Sequence, residues 1–243
     1  MNKIIVTDPH FLMAVVGPSG CGKTRLVLNL LKNHENVLKP VFDSIIYVYQ
    51  HWQNQYEELL TNLSIIQFHH GVDWEKINSL PSSKRHLVVF DDVFNEIASS
   101  DHFLNLVISG RHQNLHVIFL KHNLYQKSLH AKSIDLNLTH ILLLKSPRDI
   151  NQIDLLGRQL GSRGLLSAAY KSATHQPYGH LLIDLDPRCP EELRFCSNLL
   201  DSESIFYLPS SSPEIVCLDD AFGESKYAES TPESKTHITA TFH

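Results

Sequence analysis

The chain has 243 residues, enough to bury one sizeable core, and a single α/β domain of this length is ordinary. Its formal net charge is −5, and four of those charges fall in 209–243, where six acids face two bases, so the rest of the chain is near neutral and advertises no general nucleic-acid binder. No apolar run approaches the roughly 20 residues a bilayer span needs, and Met1–His10 mixes charge and polarity without a signal-peptide pattern, so a soluble intracellular protein without a membrane partner is expected.

The first element is the short apolar run Phe11-Leu12-Met13-Ala14-Val15-Val16, the pattern of a buried parallel strand. It runs into Gly17-Pro18-Ser19-Gly20-Cys21-Gly22-Lys23-Thr24, which meets the phosphate-binding (Walker A) pattern G-x-x-x-x-G-K-[ST] at every fixed position. Each fixed position has a physical task. The glycines let the backbone curl so that N–H groups point inward at phosphate oxygens. Lys23 supplies a point charge for the β- and γ-phosphates, and Thr24 a hydroxyl for Mg²⁺. Leu26, Val27, Leu30 and Leu31 recur at helical spacing behind it, so a helix starting near Lys23 adds its positive N-terminal end. Gly17–Thr24 are therefore expected to hold ATP.

Ser44–Tyr49 reads as a strand, and the polar aromatic stretch His51–Tyr56 leads into a short helix through Leu59 and Leu60. Ile65–Phe68 reads as another strand, and Trp74–Leu80 as a helix stopped by Pro81. His86-Leu87-Val88-Val89-Phe90-Asp91-Asp92 is the second decisive segment (Walker B), an apolar run ending in two acids. Ligands of parallel sheets sit at the C-terminal ends of the strands. There Asp91 is expected to hold Mg²⁺ with Thr24, and Asp92 to orient or deprotonate the attacking water.

Phe103–Ile108 reads as a helix, Leu115–Leu120 and Thr139–Leu144 as strands, and Ile150–Leu160 and Gly164–Ala173 as helices. Gly179–Asp184 and Leu193–Phe195 are expected as late strands at the sheet edge. From Pro209 onward Ser, Pro, Glu and Thr dominate, and an acidic disordered tail is expected at 209–243 behind an ATPase domain at 1–208. Cys21, Cys189, Cys196 and Cys217 form no C-x-x-C pair, which points to a reducing compartment without a zinc knuckle or disulfide framework. The sixteen histidines lack the paired spacing of a metal site and read as surface or half-buried residues.

At least one strand, Ser44–Tyr49, lies between the phosphate loop and the acidic strand. This predicts a three-layer P-loop NTPase sandwich with a mainly parallel central sheet of the additional-strand type. No N-K-x-D guanine reader and no arginine-rich lid is present, which argues against a GTPase and against a nucleotide kinase.

The order of the phosphate loop, Tyr49-Gln50-His51-Trp52-Gln53, Val89-Phe90-Asp91-Asp92, Gly110-Arg111-His112, Val117-Ile118-Phe119-Leu120 and Lys145-Ser146-Pro147-Arg148-Asp149 resembles one family. It is similar to the genome-packaging ATPases of eukaryotic DNA viruses and Maverick/Polinton-type elements, members of the FtsK–HerA superfamily of DNA-pumping ring ATPases. The likeness runs from about Phe11 to about Leu199. The resemblance implies that Arg111 is an arginine finger reaching the γ-phosphate of a neighbouring subunit. It also implies a γ-phosphate-sensing glutamine at the end of the Leu115–Leu120 strand, where this chain has His122 at the matching place with Asn123 as the alternative sensor, and an arginine where this chain has Lys132.

The resulting expectation is an ATP-hydrolysing motor subunit that forms a homo-oligomeric ring and translocates double-stranded DNA, packaging a viral genome into a capsid in the nucleus or a cytoplasmic viral factory. Lys121, Lys127 and Lys132 are candidates for the pore, and the acidic tail is suited to docking on a basic capsid protein. Trp52 and Tyr56 read as core or subunit-contact aromatics. The rival readings are a nucleotide or nucleoside kinase, and a non-motor ATP switch that recruits partners.

Overall fold

The computed structural model describes residues 10–39, 41–201 and 203–208, and the tail expected at 209–243 lies outside them. Nine strands form one sheet in the order β3-β2-β4-β5-β1-β6-β7-β8-β9. They are β1 (Leu12–Val16), β2 (Ser44–Tyr49), β3 (Ile66–His70), β4 (His86–Asp91), β5 (Leu115–Lys121), β6 (His140–Leu144), β7 (His180–Asp184), β8 (Phe195–Ser197) and β9 (Ile205–Phe206). β3 through β6 run parallel, and β7, β8 and β9 are added antiparallel. β5 stands between the phosphate-loop strand β1 and the acidic strand β4, as the additional-strand arrangement requires.

The central strands β1, β4, β5 and β6 are buried on both sides, and their two-residue period sorts the core into two layers. Leu12, Ala14, Val16, Val88 and Phe90 face one side. Phe11, Met13, Val15, Leu87 and Val89 face the other. Helices α1 (Lys23–Lys32), α2 (His34–Val37) and α3 (Gln55–Asn62) cover the second side, through Leu26, Val27, Leu30, Leu31, Val37, Tyr56 and Leu59. The first side is covered by α4 (Trp74–Asn78), α5 (Phe94–Ile97), α6 (Asp101–Ser109), α7 (Ala131–Leu136), α8 (Ile150–Gln159) and α9 (Arg163–Ala173). Helix, sheet and helix make three layers.

Several expectations are corrected. Leu193 does not open a strand. It closes a 3₁₀ turn at Glu191–Leu193, and the strand starts at Phe195. The turn is pinned by the Arg194 side chain, which donates to Glu191 and to the Asp184 carbonyl. β7 is not at the edge, because β8 and then β9 follow it. The histidines are not all near the surface: His34, His86, His116 and His140 are buried. His86 accepts this through hydrogen bonds with Ser44 Oγ and the Pro81 carbonyl, and His116 by accepting from the Phe11 N–H. α2, α5, α7 and β9 are too short to leave a periodic signal.

Candidate functional site

β1 ends at Val16 and the chain turns through the loop into α1. Gly22 immediately precedes the helix with φ 97°, and Gly20 has φ 77°, a region that L side chains rarely adopt. Lys23 is buried, and its ammonium donates to the loop's own carbonyls, Gly17 O at 2.7 Å and Pro18 O at 3.1 Å. These contacts hold the positive charge at the centre of the loop, where a phosphate chain would take it over.

Asp91 is the last residue of β4 and is almost fully buried. The register pairs Tyr47 with Val89 and Tyr49 with Asp91, so Tyr47 is the diagonal neighbour of Asp91 on the same face. Its hydroxyl donates to Asp91 Oδ2 at 2.7 Å, and Tyr56 from α3 donates to the same oxygen at 3.1 Å. Thr24 Oγ1 donates to the other oxygen, Oδ1, at 3.2 Å. Burial pushes the Asp91 carboxyl above its usual range, opposed by the hydrogen bonds from Tyr47, Thr24 and Tyr56. Burial and the adjacent carboxylate push both phenols up, so they act as donors at any working pH. The phenol pair was missed in the sequence. Its signal was a tyrosine within the buried middle of β2, two positions before the strand's end.

The Thr24 hydroxyl and Asp91 Oδ1 converge as hard oxygen donors, the chemistry Mg²⁺ prefers when it is shared with phosphate oxygens. Among the described residues no group of three or more His, Cys, Asp or Glu side chains could hold a metal by itself.

A family model described as the NB-ARC domain, a P-loop NTPase family, matches residues 1–121, the stretch from before β1 to the end of β5. No curated protein matches the chain. Among solved structures, the genome packaging NTPase B204 from Sulfolobus turreted icosahedral virus 2 in complex with AMPPCP is 14% identical, with 75% of this chain and 96% of that chain covered and a TM-score of 0.52. B204, the DNA-packaging ATPase from Sulfolobus turreted icosahedral virus, is 14% identical over 78% of this chain and 96% of that chain, with a TM-score of 0.50. The cytoplasmic domain of the Thermomonospora curvata type VII secretion ATPase EccC is 14% identical over 75% of this chain and 25% of that chain, with a TM-score of 0.48. The fold is that of the P-loop ATPases.

Within this fold the remaining site residues fall in three places. His122 follows β5, whose last residue Lys121 pairs with Val16, so the imidazole stands beside the start of the loop. Its Nδ1 lies 3.4 Å from the Lys23 ammonium and can accept from it only when that nitrogen is unprotonated. Asp92 lies just past β4 rather than within it. It is exposed and has φ 58°, a left-handed conformation that turns its carboxylate away from the strand's own alternation.

Arg111 is elsewhere. It lies in the 3₁₀ turn Gly110–Gln113 at the entry to β5, whereas the phosphate loop flanks the exit of that strand. Seven strand residues separate the two ends, about 20 Å at the usual rise. Arg111 is exposed, and among the described residues its Nε donates sideways to His112 at 3.3 Å. It cannot reach the phosphate loop of its own chain.

Lys121 is corrected as a pore candidate. It is 1% exposed, its ammonium donates to Asp135 of α7 at 2.7 Å, and burial lowers its pKa against the pull of that carboxylate. Lys127 and Lys132 are exposed. In Pro147-Arg148-Asp149, Asp149 accepts from Ser146 Oγ at 2.6 Å and Gln152 Nε2 at 2.9 Å at the start of α8, a local brace, while Arg148 stays exposed.

Proposed function

We propose that the chain is an ATP-hydrolysing motor subunit that works in a homo-oligomeric ring and translocates double-stranded DNA, packaging a genome into a capsid. The observation that carries this reading is the position of Arg111. An exposed arginine at the far end of the sheet from its own phosphate loop has a use in hydrolysis only if a second copy presents its loop to it. The likeness to B204, which spans nearly all of that chain, supports the same reading.

On this reading Gly17–Thr24 hold the phosphates, with Lys23 donating to the β- and γ-phosphate oxygens. Thr24 and Asp91 are the residues that would hold Mg²⁺, which when bound neutralises phosphate charge. Asp92 orients the attacking water, and His122 donates to or senses the γ-phosphate. Arg111 of one subunit stabilises the charge that develops at its neighbour's site, an effect on the order of 10³–10⁵ in rate in other phosphate-loop systems. Lys127 and Lys132 are candidates for gripping the DNA backbone, and segment 209–243 for docking on a basic capsid protein.

The test is ATP turnover with and without long double-stranded DNA, with Lys23→Ala as the blank. Several-fold stimulation that disappears at high salt is expected, because backbone contacts release counterions. Turnover indifferent to DNA would overturn the translocase reading and favour a non-motor switch.

A further inference from the structure

The phosphate loop has two flanks. β5 and β4 lie on one side of β1, and they bring His122 and Asp91 to the loop. β6 and β7 lie on the other side. If the γ-phosphate faces His122 and Asp91, the opposite end of the nucleotide leaves the loop toward the segment that precedes β7. That segment holds Tyr178.

Three independent features make Tyr178 unusual. Its ring lies against the loop itself: a Cβ added to Gly22 would come within 2.7 Å of Tyr178 Cδ1, so the glycine leaves the space the ring fills. The guanidinium of Arg25, the residue after Thr24, lies 5.3 Å from the centre of the ring. The backbone of Tyr178 has φ 64°, a conformation that costs an aromatic residue and persists only where its surroundings impose it. The surroundings do so. A Cβ on the next residue, Gly179, would sit 2.3 Å from the Ala173 carbonyl, and Lys145 Nζ donates to the His175 carbonyl at 3.0 Å. The strained turn holds out a ring that is 55% exposed. A large aromatic side chain held in a strained turn, beside an anion-binding loop and outside the core, is placed to meet a flat apolar partner.

Building on the nucleotide reading above, we propose that Tyr178, with the Arg25 guanidinium, is the platform on which the nucleobase of the bound nucleotide stacks. The phosphates would be held by Gly17–Thr24 and the base by Tyr178, so the two ends of one ligand are recognised by segments more than 150 residues apart. Stacking on a ring face tolerates any base, so the platform supplies affinity rather than a choice between purines.

The experiment is calorimetric binding of ATP and of inorganic tripolyphosphate, which lacks a base, to the full chain and to Tyr178→Ala, Tyr178→Trp and Lys23→Ala. Tyr178→Ala is expected to weaken ATP by roughly 5- to 50-fold while tripolyphosphate is held as before, the loss of one base–aromatic stack. Tyr178→Trp is expected to keep ATP, with an added fluorescence change that ATP produces and tripolyphosphate does not. Equal weakening of both ligands by Tyr178→Ala, or weakening of neither, would overturn the proposal. Lys23→Ala separates it from the phosphate-loop assignment. It should weaken both ligands alike, and if it weakens neither while Tyr178→Ala weakens ATP, the phosphate-loop assignment fails and the base platform stands.

Discussion

Asp91 shows how residues distant in sequence set the chemistry of a short motif. Its two oxygens are divided: Tyr47 and Tyr56 donate to Oδ2, and Oδ1 is left to Thr24. The phenols therefore fix the rotation of the carboxylate and leave one oxygen aimed at the loop. Tyr47→Phe keeps the ring in its aromatic cluster but removes the shorter of these bonds. Outer partners of a metal-binding group commonly contribute 10- to 100-fold to metal affinity. The expectation is that Tyr47→Phe raises the Mg²⁺ concentration needed for half-maximal turnover by about tenfold and leaves metal-free nucleotide binding unchanged. A Mg²⁺ titration checks this, and an unchanged midpoint would remove Tyr47 from the site. The loop and Asp91 were legible in the sequence because their determinants are local: consecutive glycines, or an apolar run with an acid at its end. The Tyr47 and Tyr56 contacts were not, since they depend on strand order and register across 44 and 35 residues.

At the scale of elements, β1, β2, β4, β5 and β6 were readable because each is a run of apolar residues buried on both faces. β8 was misplaced by two residues because Leu193 and Phe195 look alike in a short apolar stretch, and only the Arg194–Glu191 contact shows where the turn ends. The entry ends of β1 and β5 hold a further consequence. His116, in β5, is enclosed by the rings of His10, Phe11 and Phe42. Burial, with smaller repulsions from His10 and Arg85, lowers its pKa to about 3, and burial with Arg111 lowers that of His10 to about 4. Both are neutral in the folded chain near pH 6.5 and must take up protons when it unfolds below that pH. Folding stability is therefore complete above about pH 6.5 and falls as the pH drops toward 4, because the unfolded state binds more protons. Each excess proton contributes about 1.4 kcal/mol per pH unit to that slope. His116→Phe fills the same space but leaves the Phe11 N–H without its acceptor. It should lower stability at pH 7.5 by about 1–3 kcal/mol and flatten the decline between pH 6.5 and 4.5 by nearly one proton. Urea denaturation across that range reads both effects, and an unchanged slope would show that His116 is protonated in the fold.

For the whole molecule, the proposed reading places the hydrolytic residues at two ends of the sheet. Phosphate loop, Asp91, Asp92 and His122 gather at the exit ends of β1, β4 and β5, while Arg111 lies at the entry end of β5 and faces outward. The three-layer fold and its additional-strand type were legible from the alternation of apolar runs and helical periods, together with the strand between loop and acidic segment, whereas the full strand order was not. The separation of Arg111 from its own loop was not, because it follows from the length and direction of β5 and has no signature in the residues around Arg111. On the proposed reading, in which Arg111 completes a neighbour's site, the chain is inactive alone and active beside a copy of itself. The most direct measurement is ATP turnover by Lys23→Ala, by Arg111→Ala and by a mixture of the two. Lys23→Ala lacks a working loop and keeps Arg111, and Arg111→Ala lacks the arginine and keeps the loop. Each should be nearly silent by itself, and mixing should restore turnover, because a Lys23→Ala subunit can lend its Arg111 to the loop of an Arg111→Ala neighbour. Full activity of Arg111→Ala alone, or no recovery on mixing, would contradict a site completed between copies.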